Sequence, residues 1–503
     1  MARLMHITGM TMNSRLIFIA VMVISSLFAL ESTARTTTDR IVVISDPHLL
    51  SPELVTPGAA IDRADAGDTK MMAHSDDIMG AITDSIIALK PACVFITGDL
   101  TNNGERLSHE RMVQHLDRMA ANGIKALVIP GNHDCNNPYA RRYDGDSTLS
   151  AATVTREEFA QLYRDYGYGE GFERDTASLS YACEPIKGLV VIAIDSNMDE
   201  MNTLASRGDS IDSYHNAGRI KPETLQWITD RAKRARSKGK RVVAMMHHHL
   251  VPHFDKQDRL LANYIVKDYS QVAQQLMQSG VHAIFTGHLH VTDAATYHNG
   301  ERTDSIVDIG TGSAICYPFA VRVVTLQDKK RSLDIATRWL TEAPNCPDLR
   351  EQGRQRIINS TPGMAAMLSG RVWDKVGGRL GQLKKMLEVG GGKTSLPETS
   401  QQASQLALRH LSGVLSRTML AVVEGNEQEK ETEEIINEGK MGIRSMIEEV
   451  APEQADALWE FFINDVYPQL EPLVRSVLDD RNSVGTRNES HTDDLHVTVK
   501  LVP

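Results

Sequence analysis

The sequence predicts an α/β fold, a layered β-sheet domain covered by helices, followed by a helical C-terminal region. Three observations lead there. From Arg40 to about Leu326, short apolar and β-branched runs alternate with amphipathic stretches, the pattern of strands packed under helices. After Pro344 the alternation gives way to long helical periodicity. The length of 503 residues exceeds the roughly 250–300 at which a single core stops growing, so two folded units are expected.

Taken in order, the chain begins with Arg3 and Arg15, an apolar run from Leu16 to Leu30, and small residues at Ser32-Thr33-Ala34. That order matches a secretory signal peptide over residues 1–34 and predicts export to a periplasmic or extracellular setting. The rival is an uncleaved membrane anchor. The run falls short of the roughly 18 apolar residues a spanning helix uses, and Ser25 and Ser26 weaken it further. No integral membrane span is expected in the mature chain, and no Cys follows the run to carry a lipid.

The sheet domain is expected over residues 39–330. Its strands are read at Ile41 to Ile44, Cys93 to Thr97, Ala126 to Ile129, Leu189 to Ile194, Arg241 to Met246 and Ala283 to Phe285. Helices with one apolar face are read at Asp76 to Leu89, His109 to Asn122 and Pro222 to Lys238. Leu49 to Ser75 is long for a connection inside a compact domain and reads as a surface loop that could cover a cleft. The C-terminal region, residues 345–503, is expected to hold helices at Gly363 to Leu387, Gln401 to Val423, Thr432 to Glu449 and Pro452 to Leu478. They are interrupted by Gly390-Gly391-Gly392 and Pro397 and packed as a hairpin or bundle. Glu427 to Glu434 reads as a solvated turn or helix start, and the alternation from Leu495 to Val502 as a last strand.

A content of 41% hydrophobic and 24% charged residues is that of an ordinary globular protein. The net charge of -11 makes nucleic acid an unfavoured partner, because phosphate backbones are held by clustered Lys and Arg. A phosphate substrate would therefore need a local cation. Of the five cysteines at least one must be unpaired. Cys93 reads as a small buried hydrophobe, a disulfide such as Cys316 with Cys346 remains open, and no CxxC offers a zinc ribbon.

Metal-binding side chains recur at the C-terminal ends of the predicted strands, where open α/β sheets place ligand sites. Successive strands end in Asp46-Pro47-His48, Gly98-Asp99 and Gly131-Asn132-His133-Asp134, and later ones in His247-His248-His249 and Gly287-His288-Leu289-His290. Singly, Asp46 could cap a helix, Asp99 and Asn132 could be turn residues, and the histidines could sit on exposed loops. Recurrence at strand end after strand end outweighs those readings. Carboxylate, imidazole and amide donors together suit Mn, Fe or Zn better than Ca or Mg. Gly98, Gly131 and Gly287 are expected to let the backbone turn sharply there.

The ordered series DxH, GD, GNHD, a strand-end His and GHxH resembles the signature of calcineurin-like metallophosphoesterases over roughly residues 39–330. Leu100 to Glu105 extends the likeness to bacterial class III cyclic-nucleotide phosphodiesterases. The resemblance implies a metallophosphoesterase domain with two divalent or mixed-valence metal ions (Mn, Fe or Zn). It implies Asp46, His48, Asp99 and His290 on one ion, Asp99 bridging to the other, and Asn132, His247 and His288 completing the second. His133 would be the catalytic residue facing the leaving group, with a purely orienting role as its rival. The implied reaction is hydrolysis of a small-molecule phosphate ester, phosphodiesters slightly favoured, by a hydroxide that the two metals activate. A phosphomonoesterase is the alternative, and a binding or assembly protein with an incidental metal site is the rival of another class. His247 follows its strand directly, while His248 competes for the same role. His253 is expected at the rim of the site and His282 in the core. The sequence specifies no protein partner.

Overall fold

The computed structural model describes residues 40–199, 216–327, 331–389, 394–425, 429–478, 483–484, 488–490 and 493–501. The predicted leader, the Gly390-Gly391-Gly392 break and Glu427 lie outside them.

Two sheets stack face to face. The first has the order β12-β11-β10-β1-β2-β3, where β1 is Arg40–Ile44, β2 Cys93–Ile96, β3 Lys125–Val128, β10 Ala320–Gln327, β11 Ser332–Trp339 and β12 His496–Lys500. The second is built around β8-β9-β7-β6-β5-β4, where β4 is Tyr181–Ile186, β5 Leu189–Ile194, β6 Arg241–Met246, β7 Ala283–Thr286, β8 Asp293–His298 and β9 Ser305–Gly310. Short strands extend both of its edges.

The continuous apolar runs of β1 and β2 are buried on both faces, as parallel central strands require. Between the sheets, Phe95 of β2 meets Phe285 of β7 edge to face, with 5.9 Å between ring centroids. Outside the first sheet lie α1 (Ser75–Leu89) and α2 (Arg106–Ala121), which turn Ile78, Ile82, Ile86, Met112, Leu116 and Met119 into the core. Outside the second lie α3 (Pro222–Ser237) and α4 (Tyr269–Ser279), which contribute Leu225, Ile228, Val272 and Leu276. The architecture is therefore α/β/β/α in four layers.

All six predicted strands form, with ends shifted by at most a residue or so. The antiparallel strands β4, β8, β10 and β11, and the parallel β9, went unread. Strands such as β8, with sequence DAATYH, carry polar residues on a half-buried face and lack the apolar run that marks the centre. The segment read as a surface loop after His48 is folded: Leu50, Leu54, Ala60, Ile61 and Met72 close a small core with Tyr143.

The C-terminal region is helical, with α5 (Leu349–Val389), α6 (Ser400–Glu424), α7 (Glu429–Val450) and α8 (Tyr467–Leu478). Helix α5 starts well before the predicted Gly363 and runs through Pro362. The predicted Pro452 to Leu478 helix forms as one continuous helical run, entered by a 3-10 turn at Pro452–Gln454 and carrying a π-helical segment at Phe462–Val466. Among the described residues one helix, α6, has the length and apolar composition to cross a membrane. It packs between α5 and α7, and its Arg409 and Arg417 pair with Glu449 and Glu438 of α7. The region is also tied to the sheets. β12 pairs antiparallel with β11, and Arg356 of α5 grips Asp65 and the Lys70 carbonyl in the segment after His48.

Candidate metal centre

β1, β2 and β3 run parallel in one sheet, β6 and β7 parallel in the other, and their C-terminal ends meet. Backbone bonds stitch the turns: Asp46 N donates to the Gly98 carbonyl at 3.2 Å, His48 N to that of Asp99 at 2.9 Å, and Gly287 N to that of His247 at 2.9 Å. Asp46 joins the sheets by accepting from His288 N at 3.0 Å. Asp46, His48, Asp99, His288 and His290 all have positive φ, from 37° to 69°. Such backbone costs about 1–3 kcal/mol at a non-glycine residue and persists where the surroundings impose it.

The side chains implied as ligands form two groups that share an edge, and a further group of His48, Asp99 and His133 overlaps them. In one, His290 Nε2 lies 3.1 Å from His48 Nε2 and 3.3 Å from Asp46 Oδ1, and His48 Nε2 lies 3.5 Å from Asp99 Oδ2. In the other, His247 Nε2 lies 3.3 Å from the same Asp99 Oδ2 and 2.9 Å from Asn132 Oδ1, with His288 alongside. Donors bound at roughly 2.0–2.2 Å to one borderline cation stand about 3.0–3.5 Å apart, so the donor set and its spacing fit two ions with Asp99 between them. His247 Nδ1 donates to the Thr97 carbonyl at 2.9 Å, which turns Nε2 toward Asp99 and orients the ring as a ligand.

Charge in the centre is balanced by proximity. Burial disfavours an ionised Asp99, yet the surrounding His247, His133 and His48 outweigh burial and hold its carboxyl well below the usual range. Burial together with His247 pushes His288 down to about 3, and burial together with Lys70 pushes His48 well down, so both are neutral imidazoles with a lone pair to give.

Two further parts explain the geometry. Asp134 closes the turn after β3 by accepting from Gly131 N at 2.8 Å, Leu100 N and Thr101 N at 3.0 Å, and Thr101 Oγ1 at 2.8 Å. Asp134 stands in the GNHD motif without a predicted role, and its position three residues after Gly131 is the signal in the sequence that marks it. His133 places Nδ1 2.9 Å from the Asn102 carbonyl, which directs Nε2 toward the centre, 4.0 Å from Asp99 Oδ2.

The glycines need a correction. Of Gly98, Gly131 and Gly287 only Gly98 has positive φ, at 97°. The other two are required by close approach: a Cβ at Gly131 would fall 2.1 Å from Asp99 Oδ1, and one at Gly287 1.8 Å from Ser45 Oγ. Gly131→Ala is therefore expected to displace the Asp99 carboxylate and weaken metal binding by about 10–100-fold, the scale of losing an orienting contact. Metal titration of the purified variant measures this, and unchanged affinity would mean that Asp99 can shift freely.

The neighbours of His247 lie elsewhere. His248 bonds Ser196 Oγ through Nδ1 at 2.8 Å and stands outside the potential ligand groups of the centre. His253 is not at the rim; it is buried beside Asp293 and Asp308. His282 is buried and bonds the Ser305 carbonyl at 2.9 Å. All five cysteines are free, so the Cys316 to Cys346 disulfide left open by the sequence is absent; Cys316 Sγ instead lies 3.6 Å from His290 Nδ1.

The calcineurin-like phosphoesterase family model matches residues 39–292. The chain is similar to a probable cyclic nucleotide phosphodiesterase of Rhodococcus erythropolis, 25% identical over 272 residues that cover 54% of this chain and 70% of that protein. It is also similar to a cAMP/cGMP dual specificity phosphodiesterase of Mycobacterium tuberculosis, 22% identical over 277 residues, covering 54% and 66%. Among solved structures, a dimetal phosphatase from Danio rerio is similar with a TM-score of 0.40 at 14% identity, over 60% of this chain and 96% of that one.

Proposed function

Because this chain belongs to the calcineurin-like phosphoesterase family, whose members are hydrolases, we propose that it hydrolyses phosphate esters with two bound metal ions and acts on phosphodiesters in preference to monoesters. The observation that carries the reading is the pair of ligand groups sharing Asp99. Asp46, His48 and His290 would hold one ion, Asn132, His247 and His288 the other, and Asp99 both. Bound there, two cations lower the pKa of a water molecule and offset the charge that gathers on phosphate oxygens.

The protein's own groups do the rest. Asp99 takes its place from the His133 amide, which donates to Oδ1 at 2.9 Å, and His247 from the Thr97 carbonyl. His133, partly exposed and turned by Asn102, is the group proposed to hold a proton for the leaving oxygen. The preference for diesters is supported by the activities named for the two curated relatives. Export is proposed on the N-terminal residues alone.

The test is a substrate panel with added Mn²⁺: an aryl phosphodiester, an aryl phosphomonoester, cyclic nucleotides, glycerophosphodiesters and phospholipid headgroups. Diester kcat/KM is expected to exceed monoester kcat/KM by about tenfold, or roughly 1.4 kcal/mol of transition-state preference. The reverse order would replace the diesterase reading with a monoesterase. A metal-loaded protein inert on every member would sink the hydrolytic proposal and favour a binding role.

A further inference from the structure

A second cluster of ligand-type side chains lies beside the centre and shares no residue with it. Asp308 sits in β9 among apolar neighbours and is fully buried, a position that a carboxylate occupies only with partners. Its Oδ1 accepts the Thr286 hydroxyl at 2.6 Å, and its Oδ2 the amides of Leu250 and Val251 at 2.6 and 3.1 Å. Two buried imidazoles also face Oδ2, with His253 Nε2 at 3.3 Å and His249 Nδ1 at 3.8 Å. The nearby buried guanidinium of Arg322 is spent on the Asp293, Gly310 and Asp494 carbonyls and on Thr337, so it does not answer the charge of Asp308.

His249 supplies the independent observation. Both of its ring nitrogens are buried and neither has a hydrogen-bond partner, although a neutral imidazole carries one N–H and one lone pair, each of which needs one. Its ring stands at 86° to that of His253 with centroids 4.0 Å apart, so the two rings converge without stacking. His253 presents its other nitrogen, Nδ1, to Asp293 Oδ2 at 3.2 Å, the carboxylate–imidazole pairing that orients metal-ligating histidines.

We propose that His249, His253 and Asp308 form a third cation site, for a borderline divalent ion of the Zn²⁺ class, with Asp293 orienting His253. One donor atom from each of the three ligands lies within 4.8 Å of the others. Four-coordinate zinc with bonds of about 2.0–2.1 Å spaces its donors roughly 3.3–3.4 Å apart, close to the separations on Asp308 Oδ2. The ion takes up one of the two unpartnered nitrogens of His249 and the remaining charge of Asp308. Because Asp308 holds the Leu250 and Val251 amides, the site ties the segment after β6 to β9, next to His247.

The test is metal analysis of the full chain after loading with Zn²⁺ and exhaustive desalting. About three equivalents are expected in the wild type and about two in His249→Leu, which removes one ligand and fills its space with an apolar side chain. A wild-type count that saturates at two, or a third equivalent that His249→Leu leaves in place, overturns the proposal. Should His249→Leu fail to fold, Co²⁺ titration of the wild type decides: a third equivalent bringing the intense visible absorption of a four-coordinate site supports it, and saturation at two equivalents rejects it.

Discussion

Asp99→Asn is expected to lose more metal than any other single ligand substitution and to lower kcat/KM on an aryl phosphodiester by about 10³-fold or more. Among the described residues, Asp99 Oδ2 faces both ligand groups, 3.5 Å from His48 Nε2 and 3.3 Å from His247 Nε2. Asparagine keeps the size and loses the charge. Two cations held by these ligand groups would then have less negative charge between them, and the charge stabilisation they would supply to the transition state, several kcal/mol, would fall with their occupancy. At 1.36 kcal/mol for each factor of ten, a loss of about 4 kcal/mol is already 10³-fold. Metal analysis alongside kinetics checks the expectation, and retention of both ions at the wild-type ratio would remove Asp99 from the bridging position.

The centre was legible because its residues are local signals. Asp46, Asp99, Asn132, His247 and His288 each come within three residues of the end of an apolar run, and parallel strands carry such ends to one edge of the sheet. What the sequence did not resolve depends on long-range register. Three consecutive histidines follow β6, and only the folded chain shows His247 reaching the Thr97 carbonyl across the sheets while His248 turns to Ser196. His253 reads as a rim residue by its distance from the motif. Its actual partners, Asp293 and Asp308, come from β8 and β9, strands whose polar residues interrupt the apolar run that marks a strand in sequence.

The same limit applies to the C-terminal region. Its helices and its last strand were visible in their periodicity, but further contacts that join it to the rest of the chain are made by isolated residues: Arg356 on Asp65, Tyr317 with Glu424, and the Asp494 carboxylate on Ala294 N at 2.8 Å. None of these pairs has a local pattern. The architecture gives the region a physical role, since β12 covers the edge of β11 and α5 holds the segment after His48 in place.

His133→Ala is expected to separate metal binding from catalysis, because the proposed ligand sets do not use His133, whose Nε2 converges with His48 on Asp99 but stands 4.0 Å from Asp99 Oδ2. Its backbone amide, which supports Asp99 Oδ1, is unaffected by removal of the ring, so both ions should stay bound. Loss of a positioned proton donor typically costs about 10²–10⁴ in rate. That cost depends on the leaving group. An alkoxide is a strong base and needs the proton as the P–O bond breaks, whereas a nitrophenolate departs with little help. The variant should therefore lose far more activity on an alkyl ester than on a nitrophenyl ester of the same phosphate. A residue that only orients a ligand would impair both substrates alike, because it would act on the ions that both share. Equal losses on the two esters, or a fall in metal content, would take His133 out of the proton-donor role and leave it as a positioning residue held by Asn102.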